Sequence, residues 1–169
     1  MSSSLVEVDS LESVIAPNTV DVSGPFPDMM MSQTKNLAIG GDSIKVMPME
    51  AMCCGAHGLS VLVTATKGRV KHSVLFDTGP EEEAWERNAE RLVADISSVD
   101  VIQLSHWHRD HSGGMLKAIE MISEAKKTSS ISKTIIVDLH PDRSESRGFM
   151  IGNNSVSLPA DPTFAEIEV

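Results

Sequence analysis

The chain is 169 residues long, with 41% hydrophobic residues, only 4% aromatics, no Tyr and ten Met, a length and composition suited to one globular domain. Its net charge is −10 and its pI about 4.9. With no basic stripe to offset that charge, a nucleic-acid backbone or an anionic membrane is excluded as the main partner.

The first residues, "MSSSLVEVDS", lack the basic and apolar regions of a secretory signal, and no stretch approaches the length of a membrane span. A soluble, cytoplasmic protein is the expectation. Residues 1–40 carry weak signals and are expected to form a weakly ordered segment. One short strand fits near Leu11 to Ile15, ended by Pro17 and Asn18, and "SGPFPDMMMSQ" reads as loop. A single domain is expected over residues 41–169. Met47, Met49 and Met52 read as a Met-rich core strand, with a pocket lining as the alternative. Cys53 and Cys54 are adjacent, rarely a geometry for a mutual disulfide, and no CxxC accompanies them, so they read as reduced thiols.

Two β-rich runs follow, Leu59 to Thr66 and Val70 to Asp77, joined by a tight turn in which Gly68 supplies positive φ. Gly79 and Pro80 end the second run. "PEEEAWERNAERLVADI" predicts a helix: Pro80 suits its first position, Glu81 to Glu83 complement the positive end of its dipole, and Trp85, Ala89, Leu92, Val93 and Ile96 share one face. Residues 99–105 predict a short buried strand. "MLKAIEMISEAKK" predicts a second amphipathic helix with Met115, Ile119 and Ile122 on its apolar face, and residues 133–140 another strand. This alternation predicts an α/β fold with some parallel pairing. After Pro141 the sequence turns polar and turn-rich, and "AEIEV" reads as the start of a strand.

Between the strand at 99–105 and the second helix lies "SHWHRDHSGG". His106, His108, Asp110 and His111 crowd into six positions, and imidazole nitrogen and carboxylate oxygen are the zinc donors that are not thiolate. In extended backbone, residues i and i+2 point the same way, so His106 and His108 are expected to converge on one metal. The turn after them carries Asp110 and His111 to a neighbouring point, making a second metal site feasible. Gly113 and Gly114 allow the backbone to fold tightly beneath, and strand ends are where open α/β sheets place ligands.

"LSHWHRDHSGG" resembles the signature of the metallo-β-lactamase fold superfamily, and "LFDTG" (Leu75 to Gly79) resembles its second signature. "AHGLSVLV", "LFDTGP", "NAERL" and "HPDRSESRG" together are similar to one branch, the dihydropterin–ribofuranosyl-aminobenzene-phosphate synthases and their relatives. The resemblance runs from about residue 55 to about residue 148. It implies an αβ/βα sandwich with metals at one edge, His106 and His108 holding the first ion, and Asp110 and His111 the second. Asp77 becomes a residue that braces the metal loop through hydrogen bonds, with an ordinary strand-end turn as the alternative. In such proteins further ligands come from the second half of the domain, so this chain is expected to be an N-terminal half, truncated at its C-terminus. Among the other histidines, His57 sits where it could approach the metal edge, His140 reads as a pocket or strand-end residue, and His72 as an exposed strand residue.

The resemblance implies a metal-dependent hydrolase using metal-activated water, with Asp110 also orienting the nucleophile. The cofactor expected is one or two Zn²⁺ ions, Fe or Mn being accepted by the same donors. The substrate is expected to be a small molecule that is anionic or carbonyl-bearing. Two alternatives stand beside this: a group transferase of the synthase type, and an inactive fragment that binds metal weakly. Half a sandwich leaves an apolar sheet face, for which self-association or a complementing chain is expected.

Overall fold

A computed structural model describes residues 10–11, 34–39, 41–129 and 134–159. The expected "AEIEV" strand, most of the expected Leu11–Ile15 strand and the "SGPFPDMMMSQ" loop lie outside the described residues.

A five-stranded mixed sheet organises the molecule, in the order β1 (Ser10–Leu11), β4 (Val61–Lys67), β5 (Val70–Phe76), β6 (Val99–Gln103), β7 (Ile136–Asp138). β4 and β5 form the expected antiparallel hairpin, with Val61 opposite Phe76 and Lys67 opposite Val70. At the turn Gly68 has φ +61°, the left-handed region that favours glycine. β6 runs parallel to β5, and β7 parallel to β6. These parallel joins require crossovers, which α1 (Glu82–Arg91) and α3 (Met115–Thr128) supply; the single-turn helix α2 (Arg109–Ser112) precedes α3.

The sheet alternates. Leu62, Leu75 and Ile102 face the helices and form one core cluster with Trp85, Ala89, Met115, Ala118 and Ile122. Ile102, Met115 and Ile122 have no exposure to solvent, and burying each stabilises the fold by about 1.5–3 kcal/mol. On the other face Val61, Val63, Val74, Phe76 and Val101 are only half-buried. The fold is thus α/β, with both longer helices packed into the core of one sheet face.

Three features depart from the sequence reading. α1 ends at Arg91, so Leu92 and Val93 lie beyond it, and Val93 takes φ +51° and is half exposed. Apolar spacing continued past the point where the backbone turns. The methionines do not form a core strand: Met49 lies in a 3-10 turn at Met49–Ala51, and both Met49 and Met52 are exposed. Two additional hairpins form, β2 (Lys35–Ile39) with β3 (Asp42–Val46), and β8 (Gly148–Ile151) with β9 (Asn154–Ser157). Their described residues are mostly exposed, so they lack the one-sided burial that makes strands legible. Among the described residues, no helix is long and apolar enough to cross a membrane.

Candidate metal centre

Three loops meet where β5 and β6 end. The first leaves β5 through Asp77 to Gly79. Asp77 is wholly buried and adopts φ +58°, a left-handed conformation that Asp tolerates better than most residues. The second runs from Leu104 to Gly114 and carries the histidines. The third, residues 57–60, enters β4. Backbone hydrogen bonds stitch them together: Thr78 N–H donates to His111 O (2.8 Å), Leu59 N–H to Asp110 O (3.1 Å), and Gly79 N–H to Leu59 O (2.8 Å). Gly113 and Gly114 are required here. A Cβ on Gly113 would lie 1.9 Å from the Pro80 carbonyl oxygen, and one on Gly114 2.3 Å from that of Thr78.

The structure gathers the four crowded side chains. The His106 ring lies 4.2 Å from that of His111 and 4.6 Å from that of His108, centroid to centroid. The Asp110 carboxylate Oδ2 is 3.7 Å from His111 Nε2. Two donors sharing a tetrahedral zinc at ordinary bond lengths would be about 3.4 Å apart, so this spacing approaches one edge of a coordination polyhedron. Among the described residues no group of three or more His, Cys, Asp or Glu is arranged to hold a metal ion as it stands. The donor types fit zinc, and so do their second partners.

Those partners fix the tautomers. Asp77 Oδ2 lies 2.7 Å from His111 Nδ1. A carboxylate only accepts, so His111 Nδ1 carries the proton and donates; in the neutral ring the lone pair then lies on Nε2. Ser105 adds a second step. Its backbone N–H donates to Asp77 Oδ1 (2.8 Å) and its hydroxyl to Asp77 Oδ2 (2.7 Å). The hydroxyl proton is committed there, so His106 Nδ1, 2.9 Å from the same hydroxyl oxygen, must donate to it. His106 therefore also presents a bare Nε2. Burial, then the neighbouring His111 and His108, lower the His106 pKa below the usual histidine value against the opposing pull of Asp77 and Asp110. The neutral form, the one that ligates metals, is favoured. The sequence reading named Asp77 and missed Ser105, whose only signal was its place directly before the first histidine.

The remaining candidates separate. His57 Nε2 stands 3.4 Å from Asp110 Oδ2, with its side chain 90% exposed. The His140 ring accepts from the Asp142 backbone N–H (3.2 Å), while its carbonyl accepts from the indole N–H of buried Trp107 (2.8 Å). Arg143 covers that indole at 5.0 Å, so His140 contacts the histidine loop through its backbone. His72 is exposed and pairs with Asp100 (2.7 Å), away from the loop cluster. Cys53 and Cys54 are free thiols.

Residues 56–163 match the family model described as the metallo-beta-lactamase superfamily. The chain belongs to the metallo-beta-lactamase superfamily. It is similar to the 7,8-dihydropterin-6-methyl-4-(beta-D-ribofuranosyl)-aminobenzene-5'-phosphate synthase of Methanocaldococcus jannaschii, with 34% identity over 86 residues, 51% of this chain and 26% of that protein. It is also similar to an atrochrysone carboxyl ACP thioesterase of Aspergillus fumigatus, with 28% identity over 142 residues, 83% of this chain and 34% of that protein. Among solved structures, a metallo-beta-lactamase from Pontibacter korlensis is similar at 20% identity and TM-score 0.29, over 73% of this chain and 53% of that one. The chain thus spans about a quarter to a third of the length of these curated relatives. The described α/β unit is part of a metallo-beta-lactamase domain.

Proposed function

We propose that this chain supplies the metal-holding edge of a metal-dependent hydrolase-like centre acting on a small molecule. One observation carries the reading: a single buried carboxylate, Asp77, holds His111 directly and His106 through Ser105 in the tautomer that bares Nε2. A pair of histidines placed for packing alone would not need both rings fixed in that sense.

In this reading His106 and His108 hold a first ion, and Asp110 and His111 a second if two are bound. Zn²⁺ is the expected ion, with Fe or Mn accepted by the same donors. A divalent cation bound there supplies positive charge that acidifies water and stabilises developing negative charge. The protein's own tasks are distinct. Asp77 and Ser105 orient the two imidazoles. Asp110, half-buried beside His111, is placed to accept a hydrogen bond from the attacking water and orient it. The expected substrate is anionic or carbonyl-bearing, which the similarity to a thioesterase supports. The similarity to the synthase favours a second reading, group transfer at a phosphorylated substrate.

Zinc content after exhaustive dialysis tests the metal reading. The wild type is expected to retain zinc, and the His106→Ala/His108→Ala double variant to lose it. Equal, negligible zinc in both would refute the metal reading.

A further inference from the structure

The segment before β4 is anchored at both ends. At its start, buried Asn88 of α1 pairs twice with the Cys54 backbone, donating to its carbonyl and accepting from its N–H, each at 2.8 Å. Arg91 donates to the Met52 carbonyl and contacts Cys54 Sγ at 3.1 Å. At its end, Leu59 N–H donates to the Asp110 carbonyl at 3.1 Å, and the Ser60 hydroxyl to the Asp77 carbonyl, also at 3.1 Å. Gly58 makes the close approach possible. It adopts φ +111°, and a Cβ there would lie 1.9 Å from the Asp110 carbonyl oxygen.

Only Gly55 to Gly58 span the gap between the anchors, and His57 lies among them. The backbone therefore sets His57 against Asp110, with Nε2 3.4 Å from Oδ2. The same oxygen lies 3.7 Å from His111 Nε2. His57 is 90% exposed, so core packing does not account for its placement. A surface histidine attracted to a nearby acid would need neither the second anchor nor a left-handed glycine pressed on the backbone of that acid.

We propose that His57 is a positioning residue: it holds the Asp110 carboxylate turned toward His111, so that the oxygen meets a divalent cation without reorganising. The role rests on the metal reading above. It predicts that His57 acts on metal affinity and leaves the fold alone. Groups that orient a ligand typically contribute 10–100-fold in affinity. An exposed orienting group belongs at the lower end, about 10-fold.

The test is zinc affinity of the full chain, measured by competition with a chromophoric chelator, for wild type, His57→Ala and His57→Gln. Cobalt(II) absorption spectra report coordination geometry for the same three proteins. His57→Ala is expected to weaken zinc binding by about 10-fold and to alter the cobalt spectrum. His57→Gln, which keeps a donor, is expected to recover most of the loss. The metal-free melting temperature is expected to be the same in all three. Wild-type affinity and spectrum in His57→Ala would overturn the role of His57 and leave the metal reading standing. No zinc uptake by the wild type would overturn the metal reading itself. An equal loss in both variants with a lowered metal-free melting temperature would assign His57 to folding and overturn the proposal.

Discussion

Asp77→Asn isolates the electrostatic role of this carboxylate from its shape. Asn tolerates the left-handed backbone about as well as Asp, so φ +58° at this position adds no new strain. The amide can adopt only one orientation. Ser105 N–H is a backbone donor fixed on Oδ1, so the amide oxygen must stay there and the NH₂ must take the place of Oδ2. That NH₂ then faces His111 Nδ1 and the Ser105 hydroxyl, both of which donate to Oδ2 in the wild type. His111 Nδ1 becomes an acceptor and its proton moves to Nε2. The Ser105 hydroxyl, now accepting from the amide, is released to donate to His106 Nδ1, and that ring also becomes Nε2–H. Both lone pairs needed for a metal are lost by one isosteric change. Exchanging charge-assisted for neutral hydrogen bonds costs about 1 kcal/mol per contact, so about 2 kcal/mol of metal-free stability for the two contacts on Oδ2. Zinc affinity is expected to fall about 10–100-fold. Long-range ¹⁵N–¹H correlation spectra of the histidine rings report the tautomers directly, and chelator competition reports the affinity. If His106 and His111 both remained Nδ1–H in Asp77→Asn, the relay through Ser105 would be refuted whatever the affinity did.

Gly58→Ala is expected to destabilise the metal-free protein by at least about 2 kcal/mol, because the atoms its Cβ would meet first are the backbone carbonyl of Asp110. Gly55→Ala is the control: nothing lies within 4 Å of its Cβ, so its thermal denaturation is expected to match the wild type. The half-buried face of Val61, Val63, Val74, Phe76 and Val101 is expected to drive concentration-dependent association, since covering the rest of its apolar surface is favourable. Sedimentation velocity over a dilution series measures this, and Val74→Lys is expected to weaken it. A concentration-independent monomer would contradict the expectation.

The strands of the sheet's hairpin are buried on alternate positions. Leu62, Thr64, Ser73 and Leu75 are buried while Val61, Val63, Val74 and Phe76 are less so, yet "VLV" and "VLF" are apolar throughout, so the runs were legible from their β-rich composition and the turn at Gly68 and not from alternation. The hairpins β2–β3 and β8–β9 were not legible because their described residues are mostly exposed, and without a buried face apolar and polar positions need not alternate. Gly152-Asn153 was the available signal for the second, a two-residue turn at φ +61° for the glycine. The site divides in the same way. Residue type and spacing marked His106, His108, Asp110 and His111, since metal donors are rare in such density. Their control by Ser105 was invisible, because a serine before a histidine has no distinctive chemistry until its hydroxyl proton is shown to be committed to Asp77.

The local energetics bear on why Asp77 is built as it is. Burying a carboxylate completely, in a left-handed backbone that costs about 1–2 kcal/mol, is a poor way to end a strand if folding is the only requirement. Glycine would relieve the backbone and leave no charge to desolvate. The cost is offset by three hydrogen bonds to the carboxylate, two of them from Ser105. The third reaches across 34 residues to His111, and the Ser105 hydroxyl passes the constraint on to His106. A strand-end turn former would be satisfied by neighbours in the loop. A carboxylate that spends its accepting capacity on fixing the protons of two imidazoles acts on the site, and the destabilising features at Asp77 are best understood as the condition for keeping both Nε2 atoms bare. The separation is measurable: Asp77→Gly combined with intact Ser105 should relieve the backbone yet still lose zinc affinity. Retention of wild-type affinity in that variant would return Asp77 to the role of an ordinary turn.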